Sequence, residues 1–231
     1  MVTEVVTMAQ ETMQEGVTKF LCEHTSAPLP PWDIGALLRA RHTLAIACLV
    51  GADSDRYEGV GFGNVSVRTE DDAFLITGTQ TGAIAELQDA HLAWVEEASP
   101  NQNAVWSRGP TRPSSESMTH AVIYAERPTI QAVAHVHSPE IWHARAALRL
   151  PETGSDIPYG TPEMARAVTD LVRNPRVIAF AMAGHEDGIV TLGDTPEQAT
   201  LRALALLEAA RRSDSMGGGR SADDTPSSLT R

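Results

Sequence analysis

The apolar segment Ile130–His137 ends in two histidines separated by a single valine, and this feature constrains the fold most strongly. Residues two apart on a β-strand point to the same face, so a strand here brings the imidazoles of His135 and His137 together without a positioning loop. Alone, the pair could also be polar residues of a half-exposed strand. His185 supplies a third imidazole, and three histidines with one open position are typical of a catalytic zinc site.

Length, charge and composition limit the fold class, the kind of ligand and the cellular location. A chain of 231 residues with 42% hydrophobic content is sufficient for one α/β domain with a sizeable core. The formal net charge of -12 argues against nucleic acid or an anionic membrane as the main partner, so we expect a small ligand. The two cysteines are too few for a disulfide framework. No signal peptide and no membrane-spanning run is recognisable, and we therefore expect a cytoplasmic protein.

Periodicity and turn signals predict alternating strands and helices. Thr161-Pro162 and Thr195-Pro196 mark helix starts with proline at the first helical position, and the second has the Thr-x-x-Gln form of a capping box. Two further helices are predicted, one capped by Asp33 and ending near Gly51, and one that starts at a serine before Glu116 and runs to Pro128. The predicted strands are Val17–Cys22, a hairpin around Val65–Val67 and Ala73–Thr77, Ile130–His137, Val177–Ala183 and Gly188–Leu192.

We expect one folded domain over residues 1–212, with residues 1–31 as an N-terminal extension. Residues 213–231 are rich in glycine, serine, aspartate and threonine and have almost nothing to bury. Such a composition predicts a disordered C-terminal tail.

Four motifs together resemble the class II aldolase/adducin family, whose best-known enzymes include fuculose-phosphate aldolase. They span most of the predicted domain, and their order and spacing make the resemblance specific. The motifs are Gly63-Asn64-Val65-Ser66-Val67-Arg68, Ile76-Thr77-Gly78-Thr79-Gln80-Thr81-Gly82, Pro113-Ser114-Ser115-Glu116 with His120, and Ala134-His135-Val136-His137-Ser138 with a distant third histidine.

This resemblance implies a fold, a cofactor and an assembly. The fold is a three-layer α/β/α sandwich around a mostly antiparallel sheet. The cofactor is a divalent metal, usually Zn²⁺, although another divalent metal is possible; the three histidines His135, His137 and His185 would hold it. The assembly is often a homotetramer with sites between subunits.

The resemblance also assigns a phosphate site. In the family an asparagine, a Thr-Gly pair and two serines hold the substrate phosphate, which corresponds here to Asn64, Thr81, Gly82, Ser114 and Ser115. Hydroxyls and N–H groups at a helix start, joined by a glycine-containing turn, form a neutral anion site that needs no lysine. Thr77-Gly78 could serve instead of Thr81-Gly82.

Two residues are predicted to move protons. Glu116, placed in the first turn of a helix, could simply interact with the helix dipole. In the resembling aldolases the glutamate of this motif lies beside the metal as general acid/base, which favours a catalytic role for Glu116. A second donor is usually a tyrosine, and Tyr159 is the candidate here.

The chain contains a single lysine, Lys19, which lies outside every motif. Aldol chemistry runs through a lysine Schiff base or a metal-bound enediolate, and the position of Lys19 favours the metal route. We therefore expect a metal-dependent aldolase, a lyase that reversibly cleaves a phosphorylated ketose to dihydroxyacetone phosphate and an aldehyde.

Other functions stay open at this point. A sugar-phosphate epimerase or dehydratase could use the same metal site, and a non-catalytic adducin-like binding module is a further alternative. The family usually has glycine directly after the third histidine, whereas Glu186 and Asp187 intervene here. These carboxylates keep an iron oxygenase open, because such enzymes commonly bind iron through two histidines and a carboxylate.

Overall fold

The protein is described by a computed structural model over residues 16–217. Its centre is one eight-stranded sheet in the order β1-β5-β4-β3-β2-β6-β8-β7. β1 pairs with β5 in parallel, and every other neighbouring pair is antiparallel. The strands are β1 Leu21–Ser26, β2 Asn64–Arg68, β3 Phe74–Thr77, β4 Leu92–Ser99, β5 Ala104–Gly109, β6 Ala132–His137, β7 Ala179–Ala181 and β8 Gly188–Gly193.

Helices cover both faces of the sheet. One face carries α2 (Ser117–Glu126) and α4 (Pro162–Val172), and the other carries α1 (Gly35–Ile46), α3 (Pro139–Ala144) and α5 (Pro196–Gly217). Because successive side chains on a strand point to opposite faces, each strand contributes to the two hydrophobic cores, one on each face of the sheet. On β3, for example, Phe74 and Ile76 join the core under α2 and α4, whereas Leu75 joins the opposite core. The expected three-layer α/β/α architecture with a mostly antiparallel sheet is confirmed.

The starts of α4 and α5 and the buried strands β6 and β8 lie where the sequence predicts them. The Thr161 hydroxyl accepts a hydrogen bond from the Met164 amide at 3.2 Å and caps α4. At α5, the Thr195 hydroxyl accepts from the Gln198 amide at 3.1 Å. The Gln198 side chain in turn accepts from the backbone N–H of Asp194, one residue before the cap, at 2.8 Å.

Four elements differ at their boundaries from the prediction. α1 has Ile34 and not Asp33 at its N-cap position and ends at Ile46 instead of near Gly51, and β7 covers Ala179–Ala181 instead of Val177–Ala183. β1 covers Leu21–Ser26 instead of Val17–Cys22, because its position is set by parallel pairing with β5, which the local sequence does not reveal. α2 begins at Ser117, so Glu116 occupies the N-cap position and not the first turn. The cause is a turn in which the Ser114 hydroxyl accepts the Glu116 N–H at 3.3 Å and the Ser114 carbonyl accepts the Ser117 N–H at 3.1 Å.

The C-terminal helix is longer than expected. α5 continues to Gly217, so residues 213–217 of the predicted 213–231 tail are helical. The hydroxyls of Ser213 and Ser215 donate to the carbonyls three residues earlier, at 2.8 Å each, which satisfies these polar groups within the helix. The rest of the predicted tail and residues 1–15 of the 1–31 extension lie outside the described residues.

Strands β4 and β5 and helix α3 were not among the predicted elements. Within residues 16–217, no helix is both long and apolar enough to cross a membrane.

Candidate metal centre

The three candidate histidines converge in the folded chain. His135 and His137 project from β6, and His185 lies in the loop between β7 and β8. Their ring centroids are 4.8–5.1 Å apart, and one ligand atom from each lies within 4.8 Å of the other two. The Nε2 atoms of His135 and His137 are 3.0 Å apart. Three nitrogens at this spacing fit the donor set of a single small divalent cation.

Burial sets the protonation state of these imidazoles. All three residues are at most 2% exposed. Burial is the main cause that holds the pKa of both His135 and His137 well below the ordinary value of 6.5, and electrostatic repulsion from the nearby His185 is the second. The two rings are therefore neutral at physiological pH, which is the form that can offer a lone pair to a metal.

Gly188 allows the imidazoles to approach the backbone. It is the first residue of β8, and a Cβ there would lie 3.2 Å from Cγ of His185 and 3.3 Å from Cε1 of His135. These distances are tighter than ordinary van der Waals contact. A side chain at this position would therefore crowd two of the three rings.

Glu116 lies beside the histidines. Its side chain is buried, and Oε1 is 3.5 Å from Nδ1 of His185. The hydroxyl of Thr119 donates to Oε2 at 2.9 Å and fixes the other carboxylate oxygen. The N-cap position of Glu116 therefore places a buried carboxylate at the edge of the histidine cluster.

Tyr159 packs its ring against the third histidine. The Tyr159 and His185 rings are stacked, with centroids 4.4 Å apart. The Tyr159 hydroxyl accepts from the Val17 N–H at 3.2 Å and donates to the Val17 carbonyl at 3.3 Å. The tyrosine thus contacts the centre through its ring face, while its hydroxyl bonds to the segment before β1.

Lys19 lies closer to the centre than its place in the sequence suggests. Its Nζ is 3.9 Å from the centroid of the Tyr159 ring. Because the stacked His185 ring covers one face of the tyrosine, the ammonium occupies the other face. The aromatic ring therefore separates the only lysine of the chain from the three imidazoles.

The five residues predicted to hold phosphate line one small cleft. All of them are at most partly exposed, and the Asn64 Oδ1 is buried without a hydrogen-bond partner in the part of the chain that the structure describes. A buried amide group that lacks a partner at this position is consistent with a bound polar ligand. The lining consists of Gly16, Gly61, Gly63, Asn64, Gly78, Thr79, Gln80, Thr81, Gly82, Ser114 and Ser115.

One strand pairing and one pair of sequence neighbours place this cleft next to the metal centre. Asn64 on β2 lies directly opposite His135 on β6, so both side chains share one face of the sheet. Ser115 directly precedes Glu116. A ligand that spans cleft and centre would therefore contact residues from neighbouring strands and one helix start.

The choice between the two Thr-Gly pairs depends on which side chains reach the cleft. Thr81 and Gly82 both line it, as does Gly78. The hydroxyl of Thr77 instead accepts from the Val65 amide at 3.2 Å between β2 and β3. Gly82 also has a packing role, because a Cβ there would overlap the Gly51 carbonyl oxygen.

Arg41 is a residue that the sequence analysis missed. It is 4% exposed on α1, and its guanidinium donates to three carbonyls of the cleft loop: Thr81 at 3.2 Å, Gly82 at 2.9 Å and Ala85 at 3.2 Å. Burial lowers the pKa of this arginine. A polar residue at a buried helical position was the only sequence signal that could have identified it.

Two further histidines, His120 and His143, occupy other environments. His120 is fully buried on α2, where its Nδ1 lies 2.7 Å from the Ser66 hydroxyl, which also contacts the Tyr124 hydroxyl at 2.7 Å. His143 is exposed, and its Nδ1 bonds to the Pro139 carbonyl at 2.7 Å. The metal-ligand cluster found among the described residues contains neither of them.

Comparison with known proteins identifies relatives. The profile of the family described as Class II Aldolase and Adducin N-terminal domain matches residues 43–213. The chain is 27% identical over 190 residues to a 3,4-dihydroxyphthalate decarboxylase from Arthrobacter keyseri, covering 72% of this chain and 74% of that protein. It is 30% identical over 168 residues to a 5-methylthioribulose-1-phosphate/5-deoxyribulose-1-phosphate aldolase from Rhodospirillum rubrum, covering 65% of this chain and 69% of that protein.

The fold also matches solved structures. An L-fuculose-1-phosphate aldolase from Thermus thermophilus superimposes with a TM-score of 0.61 at 20% identity, covering 81% of this chain and 96% of that one. A sugar-phosphate aldolase from Thermotoga maritima gives a TM-score of 0.60 at 18% identity, covering 80% and 95%.

Replacing Arg41 with methionine should destabilise the cleft loop. The substitution keeps most of the side-chain volume but leaves three carbonyls without their donor, so we expect the free energy of unfolding to fall by about 2–3 kcal/mol. Arg39→Met on the same helix is the matched control, since Arg39 is exposed and its ion pair with Glu197 is a surface pair. Urea unfolding of both variants measures the difference; equal losses would contradict this role of Arg41.

His120 should make the folded state sensitive to acid. Burial lowers its pKa to about 3, whereas the unfolded chain binds the proton near 6.5. Between these values the unfolded state holds more protons, so stability falls as the pH falls below 6.5. From pH 7 to pH 5, the wild type should lose about 2 kcal/mol more than His120→Gln in denaturant unfolding. Parallel pH profiles would show that His120 is not buried in its neutral form.

Proposed function

Because the chain belongs to the class II aldolase and adducin family, we propose that it is a metal-dependent carbon–carbon lyase that cleaves a phosphorylated ketose. The products would be dihydroxyacetone phosphate, or a close relative of it, and an aldehyde. One observation carries this proposal. Three buried imidazoles and a buried carboxylate meet at one point, next to a neutral cleft of amide, hydroxyl and backbone groups.

The metal would be held by His135, His137 and His185. Their neutral imidazoles and mutual distances fit a cation such as Zn²⁺, and the nitrogen-only donor set favours zinc over magnesium or calcium. When bound, such an ion acts as a Lewis acid that polarises a carbonyl and stabilises developing negative charge. The strand β6 contributes two ligands in fixed orientation, so only the loop that carries His185 needs separate positioning.

The cleft is proposed to hold the phosphate. Asn64, Thr81, Gly82, Ser114 and Ser115 offer hydroxyl, amide and backbone donors but no cationic side chain. The Thr81 hydroxyl donates to the Gly78 carbonyl at 2.8 Å, which fixes the conformation of the turn. Helix α2 begins directly after Ser115-Glu116, so its N-terminal dipole adds positive potential on this side.

Glu116 is proposed to move the proton. Cleavage removes a proton from the substrate hydroxyl that becomes the aldehyde, and it delivers a proton to the carbon that carries the electron pair of the broken bond. Thr119 holds one carboxylate oxygen of Glu116, which leaves the oxygen near His185 directed to the centre. Tyr159 stays our candidate for the aldehyde side, although its hydroxyl must first release the Val17 backbone.

Decarboxylation is a second candidate, favoured by the similarity to 3,4-dihydroxyphthalate decarboxylase. Aldol cleavage and decarboxylation both break a carbon–carbon bond and leave an electron pair that a Lewis acid can stabilise. They differ in what the site must recognise besides the reacting carbon. The neutral cleft supports a phosphorylated substrate, and for this reason we place the aldolase first.

A paired assay separates the two reactions. The protein is loaded with Zn²⁺ and incubated with phosphorylated ketoses in one series and with dihydroxylated aromatic acids in another. Release of dihydroxyacetone phosphate, abolished by a chelator and inhibited by inorganic phosphate, would support the aldolase. Release of carbon dioxide without inhibition by phosphate would support the decarboxylase, and activity that survives removal of the metal would contradict both.

Glu116→Gln should separate catalysis from metal binding. The substitution keeps the shape of the side chain and removes proton transfer, which is worth about a hundredfold to ten-thousandfold in kcat. Elemental analysis should find the same metal content as in the wild type. Glu163→Gln is the control, because Glu163 occupies the exposed first turn of α4 and pairs with Arg166. Full turnover by Glu116→Gln with bound metal would refute the proposed role.

The homotetramer and the cytoplasmic location stay predictions. So does the choice of Zn²⁺ among divalent metals. The iron oxygenase receives no specific support from the geometry, because the metal-ligand cluster within residues 16–217 consists of histidines alone. An epimerase or dehydratase would use the same three histidines and stays open behind the aldolase. An adducin-like binding module would give this cluster no role.

A further inference from the structure

The two carboxylates that follow the third histidine have different environments. Glu186 is exposed, whereas Asp187 is 6% exposed. Asp187 also adopts a left-handed backbone conformation, with φ of +61°. Aspartate tolerates this region better than most residues, but glycine would adopt it at lower cost. The side chain of Asp187 is therefore expected to have a function that offsets this cost.

Asp187 connects the third-ligand loop to the strand that carries the other two ligands. Its carbonyl accepts the Ser138 N–H at 3.0 Å, directly after His137 at the end of β6. The loop is also closed on itself, because the His185 N–H donates to the Met182 carbonyl at 2.9 Å and the Gly188 N–H donates to the His185 carbonyl at 3.0 Å.

The Asp187 side chain adds a third segment to this connection. The Tyr57 hydroxyl donates to Oδ2 at 2.6 Å, and Nη2 of Arg56 lies 3.8 Å from the same oxygen. The same Arg56 nitrogen donates to the Tyr57 hydroxyl at 2.9 Å and to the His137 carbonyl at 3.4 Å.

Tyr57 also packs directly against a metal ligand. Its ring meets the His137 ring edge to face, with centroids 4.9 Å apart. Tyr57 and Glu58 both have positive φ, +49° and +57°, so this segment has an unfavourable backbone conformation. The bond to Asp187 and the ring contact help to hold it in place, together with the Arg56 bond and the Phe62 ring, whose centroid is 5.3 Å away.

We propose that Asp187 is a positioning residue, which fixes the His185 loop and the His137 ring relative to each other through its bond with Tyr57. It thereby keeps the three imidazoles preorganised for a metal ion. Asp187 acts through its hydrogen bonds and is not itself a ligand. This inference rests on the metal centre of the proposed function, and it does not depend on which bond the enzyme breaks.

The test measures Zn²⁺ affinity by competition with a chromogenic chelator, using the full-length protein. Groups that orient metal ligands typically change affinity by about 10-fold to 100-fold when removed. Asp187→Gly keeps the left-handed backbone and removes the acceptor. Tyr57→Phe keeps the ring and removes the hydroxyl that donates to Asp187 and accepts from Arg56. Each should weaken binding by at least about tenfold. Asp187→Asn should retain part of the affinity, because its amide oxygen can still accept from Tyr57.

Two controls define the readout. Glu186→Gln removes the neighbouring, exposed carboxylate and should leave the affinity unchanged. His185→Ala removes a proposed ligand and should weaken binding strongly. Thermal unfolding of each metal-free variant separates positioning from general destabilisation, since a positioning role changes affinity more than it changes the metal-free Tm.

The outcomes are distinguishable. The double variant Tyr57→Phe/Asp187→Gly should bind Zn²⁺ no more weakly than the weaker single variant, because both remove one interaction. Wild-type affinity in Asp187→Gly and Tyr57→Phe, with binding lost in His185→Ala, would overturn the inference and leave the metal centre intact. Wild-type affinity in His185→Ala would instead overturn the metal centre and the proposed function with it.

Discussion

The site depends on the register of β6 between β2 and β8. In this register His135 lies opposite Asn64 on one side and Val190 on the other. Because side chains alternate with a period of two, a shift by one residue would turn both imidazoles of β6 to the opposite core. The same pairing places Asn64 beside the histidines and starts β8 next to the His185 loop. The register of this one strand therefore determines how the three histidines lie relative to Asn64 of the cleft.

The parts that the sequence predicted are those determined by local chemistry. The His-x-His spacing on an apolar strand requires both rings on one face, and Thr161 and Thr195 cap helices through bonds to residues three positions away. The sequence predicts β1 at the wrong position, because this strand depends on parallel pairing with β5, a contact between distant parts of the chain. Arg41 and Lys19 are placed by tertiary packing alone, so their proximity to the cleft and to Tyr159 has no local signal.

The charge distribution bears on the proposed phosphate site of this acidic chain. The net charge is -12, and the cleft contains no cationic side chain among the residues that line it. The buried guanidinium of Arg41 lies behind the loop, where it binds carbonyl oxygens. Arg41 is not among the residues that line the cleft, so its charge acts on the conformation of the loop through these carbonyls and not through direct contact with the cleft.

The position of Lys19 has a practical consequence for labelling. A chain with one lysine carries a single side-chain amine, and this amine lies on the face of Tyr159 that is remote from His185. Besides the α-amino group, an amine-reactive probe would therefore modify one defined side chain, separated from a histidine of the centre by the thickness of an aromatic ring. A label would thus lie beside the centre without replacing any of its residues.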